Sequence, residues 1–271
     1  MLREAARIRA GCTAAVLAGV LAGCSSSGAA KDADAPSAGP TTPTTVGAPP
    51  DASGTPFDVA AGSLPRNAAE ALQLARAVTY GPDDWGRGVV AQRPSESEPD
   101  TVALLDGACR WTRVPLPRGT LASLSRYSEL SAADGRGSVR MTAVVTVHAT
   151  EAGADRQLNI ALEEVLRCPE QLLRDGERVV DLVSSASARG EGQTYADDSV
   201  YERGRYLRED EPHKDGAGQP YEWTMDRLGT IVVSVSVKGS EGYAADDLRA
   251  LATRGTSGMR TRVADLLGEG R

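Results

Sequence analysis

Residues 137–150, GSVRMTAVVTVHAT, constrain the fold more than any other stretch. Met141, Ala143, Val145 and Val147 fall on one side of an extended chain, and Thr142, Val144, Thr146 and His148 on the other. A period of two is the repeat of a β-strand, whose successive side chains point to opposite faces. One side is apolar and the other mixed. The pattern therefore predicts a strand in a sheet with one face on the core and His148 on the polar face. Such a sheet needs partner strands and a covering layer, and the rest of the chain has to supply both.

Further strand signals lie on both sides of this stretch. Val89 to Arg93 predicts a short strand, and residues 94–99 a loop. Ala108 to Val114 carries Cys109 and Trp111, and Thr120 to Leu130 carries Leu121, Leu124 and Tyr127. Arg178 to Val183 alternates weakly, residues 184–192 suggest a loop, and Thr194 to Leu207 is interrupted by Asp197, Asp198 and Gly204. Residues 208–218 are a polar loop. Glu222 to Leu228 and Ile231 to Val237, separated at Gly229, have the form of a hairpin, with Ile231, Val233, Val235 and Val237 facing inward.

The covering layer is helical. Asn67 and Glu70 have the spacing of a capping box, and Ala68, Ala71, Leu72, Ala75 and Val78 follow at helical intervals until Gly81 and Pro82. Residues 83–86 then suggest a turn. Thr150 caps a second helix, with Glu151 and Asp155 near its positive end and Ala154, Leu158, Ala161, Leu162 and Val165 as its buried stripe. Pro169 stops it after Cys168, and residues 171–174 suggest a last turn. From about Gly242 a long C-terminal helix repeats Ala245, Leu248, Ala252, Gly255, Met259, Val263 and Leu266. Its interior Gly255 and Gly258 each cost ~1 kcal/mol in helix propensity, which points to close packing on the sheet or a kink. The sum is an α+β domain, an antiparallel β-sheet packed with helices, over residues 57–271.

The N-terminal 56 residues follow other rules. Arg3, Arg7 and Arg9 precede an apolar run from Thr13 to Ala22, too short to cross a bilayer, which takes ~20 residues. The run ends in Leu21-Ala22-Gly23-Cys24, which resembles the lipobox of bacterial lipoproteins. The resemblance implies a signal peptide over residues 1–23, cleavage before Cys24, and acyl chains (palmitate among them) on the Cys24 thiol. An ordinary signal peptide is the alternative. Residues 24–56 are rich in Ser, Gly, Pro and Thr and almost free of large apolar side chains, the composition of a disordered tether.

Removing Arg3, Arg7, Arg9 and Glu4 from 30 basic and 37 acidic residues leaves 27 and 36, a net charge of −9. Such a surface disfavours nucleic acid and anionic head groups alike. The membrane contact then falls to the acyl chains of Cys24 and places the domain on the extracytoplasmic side of the cell membrane. Beyond Cys24 only Cys109 and Cys168 remain in an exported chain, where paired cysteines usually bridge. A Cys109–Cys168 disulfide is expected to clamp the second helix to a strand; two buried free thiols are the alternative.

The chemistry signals are sparse. His148 and His213 have no paired nucleophile in sequence, and no G-x-S-x-G, S-x-x-K or H-E-x-x-H motif occurs. Neither a metal nor a cofactor is called for. The carboxylate pairs at 83–84, 163–164, 197–198, 209–211 and 246–247 have the look of solvated charge. Tyr195, Tyr201, Tyr206, Tyr221 and Trp223 crowd into 29 residues and suit either a ligand groove or plain cross-strand packing.

The segments CRWTRVPLP (109–117), LASLSRYSEL (121–130), VTVHAT (145–150) and LEEVLRCPEQLLRDGERV (162–179), together with LAGC (21–24), resemble uncharacterised actinobacterial lipoproteins. The layout, with a helix ending at Cys168, also resembles the extracellular sensor domain of PknH-type serine/threonine kinases. That family usually carries two disulfides, and this domain has cysteines for one. The resemblances imply a lipid-anchored envelope protein with a non-catalytic domain that binds an envelope ligand or protein. A tethered hydrolase and a carrier of lipid or lipoprotein precursors are the alternatives.

Overall fold

A computed structural model describes residues 59, 60, 62–188, 195–210 and 218–268. The expected signal peptide, the tether and Cys24 lie outside the described residues, as do His213 and most of the polar loop at 208–218. In chain order the elements are α1 (Ala68–Val78), α2 (Pro82–Trp85), β1 (Val89–Glu96), β2 (Thr101–Leu105), β3 (Trp111–Pro115), β4 (Thr120–Leu130) and β5 (Val139–His148). There follow α3 (Glu151–Arg167), β6 (Gln171–Arg174), β7 (Glu177–Ala188), β8 (Asp198–Arg208), β9 (Gln219–Leu228), β10 (Ile231–Lys238) and α4 (Ala245–Leu267). Eight strands form one antiparallel sheet in the order β1-β4-β5-β10-β9-β8-β7-β6, and β2 and β3 pair as a separate hairpin. This is the expected α+β fold.

The 137–150 stretch becomes β5, with β4 on one side and β10 on the other. Met141, Ala143, Val145 and Val147 are fully buried on one face with Ile231, Val233, Val235 and Val237 of β10. Helices α1, α2 and α4 cover this face. The stripe of α4 that meets it is Leu248, Ala252, Met259 and Val263. The two helix glycines mark close packing rather than a kink. A Cβ on Gly255 would collide with the Trp85 ring and press on Val235, and one on Gly258 would collide with the Tyr80 hydroxyl. Asn67 caps α1 by accepting the Glu70 amide at 3.0 Å, and Thr150 caps α3 by accepting the Gly153 amide at 3.1 Å.

The expectation of a single covered face is overturned. Thr146 and His148 are also buried, because α3 and the β2–β3 hairpin cover the second face. Ala154, Leu158, Ala161 and Val165 of α3 pack there against Val200, Tyr221, Met225 and Val232. His148 is not a surface side chain: its Nε2 lies 2.7 Å from Gln157 Oε1, and burial lowers its pKa.

Other local expectations also change. Residues 83–85 belong to a one-turn helix in which Asp84 accepts the Gly81 amide and Trp85 is buried, and Gly86 caps its end. β1 runs on through residues 94–96, β6 replaces the expected helical turn at 171–174, and β7 extends to Ala188. Gly204 does not interrupt β8. It faces the bulge at Asp181 (φ 52), where a Cβ would meet the Val180 carbonyl at 2.8 Å. Cys109 is not in a strand but in the turn between β2 and β3, at φ 59. The β9–β10 hairpin forms as expected, with Leu228 opposite Ile231 and Gly229 in the left-handed region at φ 58.

Candidate functional site

The second face of the sheet carries the site. In β10 the residues between the core valines are Val232, Ser234, Ser236 and Lys238, so this face is polar where the other is hydrocarbon. The register carries the pattern sideways. Tyr127, Thr142, Ser236, Trp223 and Glu202 stand opposite one another in successive strands, as do Ser125, Val144, Ser234, Met225 and Val200. A third row aligns Arg140, Lys238, Tyr221 and Gly204. Small hydroxyl side chains leave room above the sheet that bulky ones would fill.

That room is a cavity of about 240 Å³ between the sheet, α3 and the hairpin. Val102, Leu104, Trp111 and Arg113 of the hairpin form one wall, and Ile160 and Glu164 of α3 the other. Trp111 meets Trp223 edge to face, with ring centroids 6.2 Å apart. Leu104 and Ile160 are 38% and 42% exposed and make an apolar rim.

The hairpin is fastened at both ends. Cys109 is bonded to Cys168, the C-cap residue of α3, with 5.6 Å between their Cα atoms. Leu172 donates its amide to the Cys109 carbonyl at 2.8 Å, Trp111 Nε1 donates to Gln171 Oε1 at 2.8 Å, and Arg167 donates to the Asp106 carbonyl at 2.9 Å. At the far end the Arg113 guanidinium reaches Thr101, Ser125 Oγ and Tyr127 Oη. The disulfide therefore joins α3 to a turn that forms one wall of the cavity. It does not join α3 to the main sheet.

Two groups of buried charge border this space. Lys238 lies 3.8 Å from Glu177, which also receives Arg140 at 2.6 Å and a short bond from Arg174. Burial alone would raise the Glu177 carboxyl, but Arg174, the neighbouring Tyr206 and Lys238 outweigh it and hold the pKa down to about 2. Burial pushes Lys238 down to about 8, against the pull of Glu177. On the α3 side the carboxyls of Glu164 and Glu202 lie near each other with little solvent. Burial raises Glu164 to about 7, with Arg167 working against it; burial and the charge of Glu164 raise Glu202 to about 8. Among the described residues Glu202 Oε1 has no hydrogen-bond partner. No cluster of three or more His, Cys, Asp or Glu there is placed to hold a metal ion.

The five aromatic residues singled out by sequence do not form one groove, because the pleat divides them. Tyr206, Tyr221 and Trp223 point to the α3 face, where Tyr221 and Trp223 line the cavity and Tyr206 packs beside Glu177. Tyr201 lies on the α4 face, with its hydroxyl on Glu222, and Tyr195 stacks under Arg260 at 4.0 Å. Both line a separate recess with Asp226 and Arg249. Lys238, Glu164, Glu177 and Glu202 were not foreseen. The alternation Val233-Ser234-Val235-Ser236-Val237-Lys238 is the signal that could have shown a polar second face. Glu164, three residues after Ala161 on the buried stripe of α3, is another.

No protein-family model matches the sequence, and comparison with curated proteins finds no match. The lipoprotein resemblance therefore rests on the residues quoted above. Among solved structures the chain is similar to the extracellular domain of PknH from Mycobacterium tuberculosis, at 10% identity and a TM-score of 0.40, over 72% of this chain and 95% of that one. A likeness at this distance concerns general layout alone. No helix among the described residues is long and apolar enough to cross a membrane.

Proposed function

We propose that the chain is a lipid-anchored cell-envelope protein, held through Cys24, whose domain binds a small ligand without altering it. The observation that carries the binding reading is the cavity under α3, with its hydroxyl-lined floor, two tryptophans and apolar rim. Ligand sites combine an apolar lining with a few placed polar groups in this way. The disulfide suits an oxidising compartment and so supports export. The lipobox-like stretch and the tether support the anchor.

Two measurements test this. Cys24→Ser is expected to move the protein out of the membrane fraction or to leave an unprocessed precursor; a mature, membrane-bound Cys24→Ser protein would refute the anchor. Native mass spectrometry of protein taken from its own host is expected to show a bound small molecule, lost when Ser236→Trp fills the cavity. A ligand retained by that variant would place binding elsewhere. A hydrolase is the second reading, favoured by Glu164: its carboxyl, raised to about 7, faces the cavity as a general acid would. Turnover of an envelope extract that is lost in Glu164→Gln would replace the binding reading.

A further inference from the structure

The charges around the cavity are unequal, and the inequality is local. Glu177 is the hub of three cations, Arg140, Arg174 and Lys238. Glu129 pairs with Arg140 at 3.3 Å, and Arg208, whose charge also acts on Lys238, pairs with Asp210 at 2.6 Å, so three carboxylates face four cations in this cluster. One positive charge is surplus. Arg140 donates to both Glu129 and Glu177, and Arg174 donates to Glu177. Lys238 differs. Its single ionic partner among the described residues is Glu177 at 3.8 Å, beyond hydrogen-bond length, although only 16% of its side chain is exposed. An ammonium has three donors. Among the described residues those of Lys238 have no hydrogen-bond acceptor, the Tyr206 ring lying 5.8 Å from Nζ, and the side chain lines the cavity.

The rest of the lining sorts by polarity. Lys238 stands opposite Tyr221 at one end of the floor, and the adjacent row brings Ser236 and Thr142. Towards the hairpin and the outer face of α3 the lining turns apolar, through Trp111, Leu104, Val102 and Ile160. Arg113, the other cation of the lining, already donates to Thr101, Ser125 and Tyr127. Among the described residues the only carboxyl of the lining is Glu164, on the α3 wall.

We infer that the cavity takes a small amphiphilic monoanion, its carboxylate on Lys238 Nζ and its apolar body against Trp111 and the Leu104–Ile160 rim. The inference rests on the reading of this cavity as a ligand site and adds the class of ligand. A monoanion matches the single surplus charge of the cluster, whereas a dianion would leave one negative charge buried and uncompensated, which is costly. A cationic head group would add a further positive charge beside Arg140, Arg174, Arg208 and Lys238. A neutral head could accept from the ammonium but would leave the surplus charge without a counter-ion.

The test uses the exported full chain bearing Cys24→Ser, so that no acyl chain competes, with octanoate, octyl phosphate, octanol and octylamine as probes. Titration is followed by tryptophan fluorescence and calorimetry. Octanoate is expected to bind most tightly, and Lys238→Met to weaken it about tenfold or more, as loss of a charge-assisted hydrogen bond implies. Lys238→Arg should keep most of the affinity, and octanol should be indifferent to both substitutions. Octanol or octylamine binding the unsubstituted lysine protein as tightly as octanoate would overturn the inference without need of any variant at 238. So would octyl phosphate binding more tightly than octanoate, or unchanged octanoate affinity in Lys238→Met. Binding of octanol alone would leave the cavity a ligand site and remove the anion; binding of no probe would remove both.

Discussion

The two faces of the eight-stranded sheet are built from the same strands and do opposite things. On the α4 face, Met141, Val145, Val233 and Val235 are fully buried against Trp85, Leu248 and Met259, and glycines at 255 and 258 let the helix layer approach to van der Waals contact. On the α3 face the residues between them are Thr142, Val144, Ser234 and Ser236, and the cover stands off far enough to leave a cavity. Close packing of hydrocarbon gives stability, and each removed methylene is felt. A face of hydroxyls, buried carboxyls and a lysine gives up part of that stability for polar groups set around a cavity. The comparison teaches that a close-packed face and a cavity-bearing face can be separated by a single residue step along one strand.

At neutral pH the largest expected effect concerns the fastening of the cavity wall. Replacing both Cys109 and Cys168 by Ser should cost roughly 4 kcal/mol in denaturant unfolding, from the chain-entropy model for bridged residues 59 apart. Amides of the 101–115 hairpin should then exchange faster while those of β5 and β10 keep their relative order. An unchanged hairpin would mean that the Trp111–Gln171 and Arg167–Asp106 bonds hold the wall unaided.

A pair of substitutions on neighbouring strands contrasts the faces directly. Met141→Ala, in the dry core, is expected to cost about 3 kcal/mol. Ser236→Val, on the cavity floor, should stay within about 0.5 kcal/mol, since it adds hydrocarbon to open space. Equal costs in thermal or urea unfolding would erase the distinction between the faces.

The buried carboxyls give the cavity face its own pH dependence. Glu164 and Glu202 have folded pKa values of about 7 and about 8, above the ordinary 4.5. The native state therefore holds more protons than the unfolded chain between those limits, and stability falls as pH rises from about 4.5 to 8. Glu202→Gln should flatten that fall by up to about 5 kcal/mol. A slope unaffected by the substitution would show that Glu202 does not carry it.

Much of the fold was legible where the governing interaction is local. Asn67 with Glu70, and Thr150 with Gly153, are contacts within four residues, so the starts of α1 and α3 could be read directly. The alternation of β5 and the β9–β10 turn at Gly229 are equally local. Short strands were harder. β2 and β6 have five and four residues, too few for a period to stand out, and each is set by its partner: β3 and the Cys109–Leu172 contact. The tyrosine cluster misled because closeness in sequence says nothing about face. Tyr201 and Tyr206 differ by an odd number of residues, so the pleat sends them to opposite sides.

What the sequence determined by itself is the set of local geometries: which segments extend, where helices begin, where turns need glycine, and that Cys109 and Cys168 were available to pair. The tertiary structure alone decided that both sheet faces would be covered and that α3 would stand off over Ser234 and Ser236. It also decided that Lys238 would meet Glu177 from 61 residues away in the chain. The reason is physical. A strand's alternation fixes which side chains share a face, but the layer packed over that face is chosen by long-range burial, and a cavity is a property of two surfaces that no single segment encodes.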